Sequence, residues 1–175
     1  LDIYATLFEL IDMRSFSNLW YWIALAVLWS TTSHFVLGVP FDLALKAKRH
    51  GGERMRDFED LVRINTRRVL TIAEVSGLLL TALAGAVTST LAITGFVYDV
   101  EFSQAVFFMA FPMLFVAAIN IRMAHKIRDR EIRGEALVAT LRRHRFYVQL
   151  IGMCAIFVTA MWGMYQNLVT GPLGG

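Results

Sequence analysis

Two charged runs divide this chain, and each sits between apolar segments long enough to cross a bilayer. The first, from His50 to Leu70, reads HGGERMRDFEDLVRINTRRVL, and the second extends from Arg122 to Arg145. A hydrocarbon core of about 30 Å takes about 20 apolar residues in helical form. The alternation therefore predicts an all-α integral membrane protein: four transmembrane helices in two hairpins, with helical cytoplasmic extensions. Composition agrees, since 57% of residues are hydrophobic and 18% charged, where a soluble domain carries about a quarter charged.

The chain reads as one membrane domain over 1–175. Residues 1–16 are a short mixed segment in which Ile3, Leu7, Leu10 and Ile11 recur at helical spacing among Asp2, Glu9 and Asp12. That pattern suits a helix lying in the interface or a lead-in packed on the first span. The first span is 18–39. It opens on Trp20, Tyr21 and Trp22, side chains suited to headgroup level, and it ends at Gly38-Val39-Pro40, where proline removes a donor. A basic loop, 42–68, restarts as a juxtamembrane helix, turns at Gly51-Gly52 and becomes helical again. Met55, Phe58, Leu61, Val62 and Val69 form one apolar stripe along it. No breaker separates Arg54 from the second span, 69–96. A tight turn at Tyr98–Glu101 leads to the third span, 102–121, which Pro112 is expected to kink. The helix is expected to continue to about Arg133 and turn at Gly134, the second basic loop being 122–146. The fourth span is 147–168.

Sixteen of the 17 Lys and Arg residues lie in the two basic loops, 42–68 and 122–146, Arg14 being the exception. Insertion rules then place both loops in the cytoplasm and both termini in the periplasm of a bacterial inner membrane. The same partition excludes nucleic acid as the reason for a net charge of +3. The single cysteine, Cys154, lies in an apolar run and reads as a small buried hydrophobe rather than a redox thiol.

No nucleophile–base pair, phosphate loop or metal-ligand spacing appears, so no enzyme activity, cofactor or metal is expected. Four strong polar residues, His34, Glu74, Asn120 and Gln149, fall at similar depth near the cytoplasmic surface, one per span. They predict a polar intramembrane layer: a His34–Glu74 pair that glues the bundle, a proton or ligand site, or side chains snorkelling to the interface. His34 is also the one weak candidate for a cofactor ligand. Bis-histidine haem needs two rings facing across a core, and His125 and His144 sit in basic runs while His50 sits at a turn. Ala73, Gly77, Thr81, Gly85 and Ser89 stand four apart on the second span and predict a helix-packing face within the bundle, the alternative being a face for docking a partner subunit. Ala155, Thr159 and Gly163 repeat it on the fourth span. Phe107, Phe108, Phe111 and Phe115 offer a partner or lipid face.

The opening YATLFELIDMRSFSNLWYWIALAVLWSTTSHFVLGVPFD, the central LVRINTRRVL and the closing MWGMYQNLVTGPLGG resemble a family of small alphaproteobacterial inner-membrane proteins often labelled "component of SufBCD complex". The resemblance covers nearly the whole chain, and its motifs carry no chemical role that transfers to residues here. The family's hosts are often photosynthetic or rich in respiratory complexes, an association of occurrence and not of mechanism. The expectation is a non-catalytic accessory subunit of an energy-converting complex, either a photosynthetic reaction centre with its light-harvesting antenna or a respiratory complex. Its partners would be membrane lipids and other integral subunits, with bound lipids or pigments contributed by the complex. The alternatives are a small transporter or redox protein using the His34–Glu74 layer, and an assembly factor.

Overall fold

The computed structural model describes residues 15–170, so the expected interfacial helix of the first 14 residues and the last five residues lie outside the described part. A short 3-10 turn, Ser15–Ser17, leads into α1, Leu19–His34. A two-stranded hairpin follows, β1 (Phe35–Val36) with β2 (Val39–Pro40), then α2 (Phe41–His50), α3 (Gly52–Phe96), α4 (Glu101–Asp129) and α5 (Gly134–Thr170). Three of these helices, α3, α4 and α5, are long and apolar enough to cross a membrane.

The first apolar segment departs from the expected 18–39 span. Its helix stops at His34 after 16 residues, a length of about 24 Å at 1.5 Å per residue. The chain then reverses in a tight hairpin in which Val36 pairs with Val39 and Phe35 with Pro40. The two turn residues, Leu37 and Gly38, have φ of 52° and 73°, the left-handed pair that a two-residue hairpin demands. Glycine adopts this freely, whereas leucine does so at a cost of about 1–2 kcal/mol. Leu37 is buried beside Val36, Val39 and Phe58, and burying such a side chain returns about 1.5–3 kcal/mol. Burial therefore holds the turn that sequence spacing did not announce.

Gly51, at φ 59°, ends α2 and turns the chain into α3, which runs unbroken for 45 residues. α4 passes through Pro112 without ending and stops at Asp129, earlier than the expected Arg133. The stop falls where Glu131 takes φ 45° and Gly134 φ 58°. Glu59 on α3 accepts the Gly134 N–H at 2.6 Å, so the turn is fastened to the neighbouring helix.

α4 packs between α3 and α5, and α1 packs on α5. The largest core lies at the charged end. There Phe58, Val62 and Leu70 of α3 meet Met123, Ala124 and Ile127 of α4, Leu137 and Leu141 of α5, and the hairpin with α2. Met55, Leu61 and Val69 of the expected stripe pack against it. Both charged runs thus meet at one end of the bundle. A second core joins Leu25 and Trp29 of α1 to Val116, Val148 and Ala155. A third, at the other end, gathers Phe16, Tyr21 and Ala105 with Trp20, Trp22, Phe108 and Trp162.

Helix contacts are closest at glycines other than those of the expected α3 stripe. A Cβ on Gly152 would stand 2.7 Å from Trp29 Cε3, while Gly77 and Gly85 have nothing within 4 Å. Gly152→Ala is therefore expected to cost about 1–3 kcal/mol through overpacking against a buried ring, whereas Gly77→Ala causes no loss. Thermal unfolding of the two variants in detergent micelles checks the contrast.

Candidate functional site

The residues expected to form one polar layer are held separately. α1 packs on α5 and α3 on α4, so His34 and Glu74 sit on elements with different neighbours. Glu74 pairs with Arg128 of α4, Nη1 donating to Oε1 at 3.0 Å. The same guanidinium donates to Asp129 at 3.1 Å and to His125 Nδ1 at 3.0 Å. His34 ends α1, exposed, with its ring edge-on to Phe35 at 5.0 Å. Gln149 is exposed on α5. Asn120 is the one member used inside the bundle: its Oδ1 accepts from His144 Nε2 at 2.7 Å, and His144 is buried. Next to it, Arg145 donates to the Ser33 carbonyl at 3.0 Å and lies over the Phe41 ring at 4.5 Å. These two residues of α5 clasp α4, the end of α1 and α2.

The four histidines have separate environments: His34 on Phe35, His125 on Arg128, His144 on Asn120, and His50 Nδ1 donating to the Lys46 carbonyl at 3.0 Å. Among the described residues no group of three His, Cys, Asp or Glu is placed to hold a metal ion.

At the opposite end, a residue that sequence reasoning passed over joins the helices. Gln104 of α4 is buried. Its Nε2 donates to the Gly95 carbonyl of α3 at 2.8 Å, and its Oε1 accepts from Trp162 Nε1 and Gln166 Nε2 of α5, both at 2.9 Å. One residue on, the Ala105 carbonyl accepts from Tyr21 Oη of α1 at 3.2 Å. Nearby, Glu101 accepts the Phe16 N–H at 2.7 Å. A lone amide in the stretch FSQAVFF was the available signal.

The two expected faces fare differently. On α5, Ala155, Thr159 and Gly163 are buried, Gly163 lying against Phe16 and Trp22. On α3, Ala73 and Gly77 are half-buried and Thr81, Gly85 and Ser89 exposed. The phenylalanine face divides as well. Phe107 and Phe108 pack edge-on to Phe96 at 5.4 and 6.0 Å, while Phe111 and Phe115 are exposed. Cys154, expected to be a small buried hydrophobe, is exposed on α5.

An open groove of about 570 Å³ lies at the charged end, between α3, the end of α4 and the start of α5. Val62, Thr66, Leu70, Ile127 and Leu137 line it and are buried; Arg63, Arg67, Arg128 and Arg133 stand around it with Glu59, Asp60, Glu74 and Glu131. Its lining reaches no deeper along α3 than Glu74.

No family model, curated protein or solved structure matches the chain.

The two polar joints are expected to matter more than their size implies. Gln104→Leu leaves the Gly95 carbonyl and the Trp162 N–H without their partner, at about 1–3 kcal/mol for each buried group. Asn120→Ala orphans one N–H of His144, for about 1–3 kcal/mol. Chemical unfolding of the purified protein in micelles measures both.

Proposed function

We propose that the chain is a non-catalytic accessory subunit that packs against a larger energy-converting complex of the bacterial inner membrane. A photosynthetic reaction centre with its antenna, or a respiratory complex, is the class of partner. In this reading α1 crosses with the three longer helices as the fourth span, the charged end lies in the cytoplasm and both termini are periplasmic, as the Lys and Arg distribution favours.

The observation that carries the reading is the uncovered face of α3. Leu78 is 88% exposed and stands two turns from Gly85 on the same side of the helix, and among the described residues nothing lies within 4 Å of a Cβ at Gly77 or Gly85. Lipid offers no hydrophobic drive for helix association, so a face bearing small residues is useful chiefly where another helix backbone comes close. Within this chain the close-packed glycines are spent elsewhere, at Gly95, Gly152 and Gly163. The resemblance of the opening, central and closing segments to inner-membrane proteins of photosynthetic and respiring bacteria points to the same kind of partner. A transporter or redox protein built on a His34–Glu74 layer has less support, because Glu74 is engaged by Arg128.

The reading predicts that Gly77→Leu with Gly85→Leu leaves the solubilised protein as stable as the parent and abolishes its co-migration with a larger complex on native gels. Migration of the parent alone at its own mass sinks the subunit reading. Presence only in immature forms of the complex selects the assembly-factor alternative.

A further inference from the structure

The basic run from Arg142 to Arg145 divides on α5. His144 and Arg145 turn inward, to Asn120 and to the Ser33 carbonyl. Arg142 and Arg143 are exposed, and among the described residues they make no hydrogen bond or ion pair. Their charge is not balanced nearby. Glu135 is the one carboxylate in the sequence of α5, and it stands about 10 Å along the helix from Arg142. On α2, Asp42 adjoins Phe41, the ring over which Arg145 lies, and is counted against Arg145. Glu74 on α3 is held by Arg128. On α4, the bond between Asn120 and His144 sets the level of the two helices, and Arg122 adds a further exposed cation there. Arg142 and Arg143 are therefore two unopposed positive charges.

Below them the outward side of α5 is apolar. Phe146, Leu150, Met153 and Phe157 follow at spacings of three and four residues, which keeps them in one line along the helix. Phe146 and Phe157 are 57% and 66% exposed, whereas Leu141, Val148 and Ala155 are buried on the other side. Arg142 and Arg143 stand four and three residues before Phe146, so they are its neighbours on the helix surface. From Phe146 to Phe157 is about 17 Å of helix, close to one leaflet of a hydrocarbon core about 30 Å thick. Two cations at headgroup level above an apolar line one leaflet deep match an anionic phospholipid in both charge and length. A zwitterionic lipid brings its own cation, which the arginine pair repels.

We propose that this face of α5 is a site for an anionic phospholipid, in which Arg142 and Arg143 receive the phosphate and the line from Phe146 to Phe157 takes an acyl chain. The chemistry is charge-assisted hydrogen bonding of phosphate by arginine, and its source is the membrane. It is independent of the α3 docking face, since it lies on another helix and needs no partner protein.

Native mass spectrometry of the full chain released from micelles tests it, with phosphatidylglycerol and phosphatidylcholine of identical acyl chains as probes. The expected result is retention of one phosphatidylglycerol per chain in preference to phosphatidylcholine, with no displacement by excess inorganic phosphate. An arginine near a membrane surface is worth about fivefold in affinity for anionic lipid. Arg142→Gln with Arg143→Gln is therefore expected to weaken retention of phosphatidylglycerol about thirtyfold and to leave phosphatidylcholine unchanged. Arg54→Gln with Arg56→Gln makes the same charge change at exposed positions near the start of α3 and is expected to retain phosphatidylglycerol as the parent does. If the double variant at 142 and 143 fails to fold, either single substitution decides, at about fivefold. Equal retention of phosphatidylglycerol by the 142/143 variant and the parent overturns the site, as does an equal loss in the 54/56 variant. Equal retention of the two lipids by the parent overturns the recognition of an anionic headgroup. Displacement by inorganic phosphate overturns the membrane as the source.

Discussion

One side chain and the carbonyl beside it tie the far end of the bundle together. Gln104 on α4 reaches α3 through Gly95 and α5 through Trp162 and Gln166, while the Ala105 carbonyl takes Tyr21 of α1. In water such bonds exchange with solvent and contribute little. Within an apolar bundle the alternative is an unsatisfied amide, so the network fixes which helix faces which. Close approach at Gly95, whose Cβ position lies 3.0 Å from the Gln104 nitrogen, lets the carbonyl come within reach. Aromatic rings from α1, α3, α4 and α5 fill the space around it.

The charged end is held by a different device. There the largest core sits under two basic runs, and hydrophobic packing combines with individual polar clasps: Glu59 on the Gly134 turn, Arg145 on Ser33, His144 on Asn120. Among the described elements α3 packs mainly on α4 and leaves an outer face open. A helix fastened at both ends and open in the middle is a stable platform for something beside it.

Much of this was legible in the residues. The apolar blocks and their charged separators marked α3, α4 and α5, and the stripe from Met55 to Val69 marked the face of α3 that enters the core. The stripe of Ala155, Thr159 and Gly163 marked the buried face of α5. What stayed hidden depended on tertiary context. Leu37 gives no local sign that it will accept a left-handed backbone, because only its burial makes that conformation worthwhile. Asn120 and Glu74 stood out as polar residues at a given depth, but depth does not say which way a side chain points around a helix. Asn120 turns inward to His144, Glu74 turns to Arg128, and His34 and Gln149 turn outward. The small-residue repeat of α3 showed a face suited to close approach without showing that no helix among the described residues would cover it.

The central claim is that another polypeptide covers the open face of α3. It is tested most directly by a photo-crosslinking residue placed at position 85 in native membranes, with the same residue at position 159, inside the bundle, for comparison. Position 85 is expected to give a covalent adduct with another membrane polypeptide and position 159 only intrachain products. Lipid adducts alone at position 85 would contradict it.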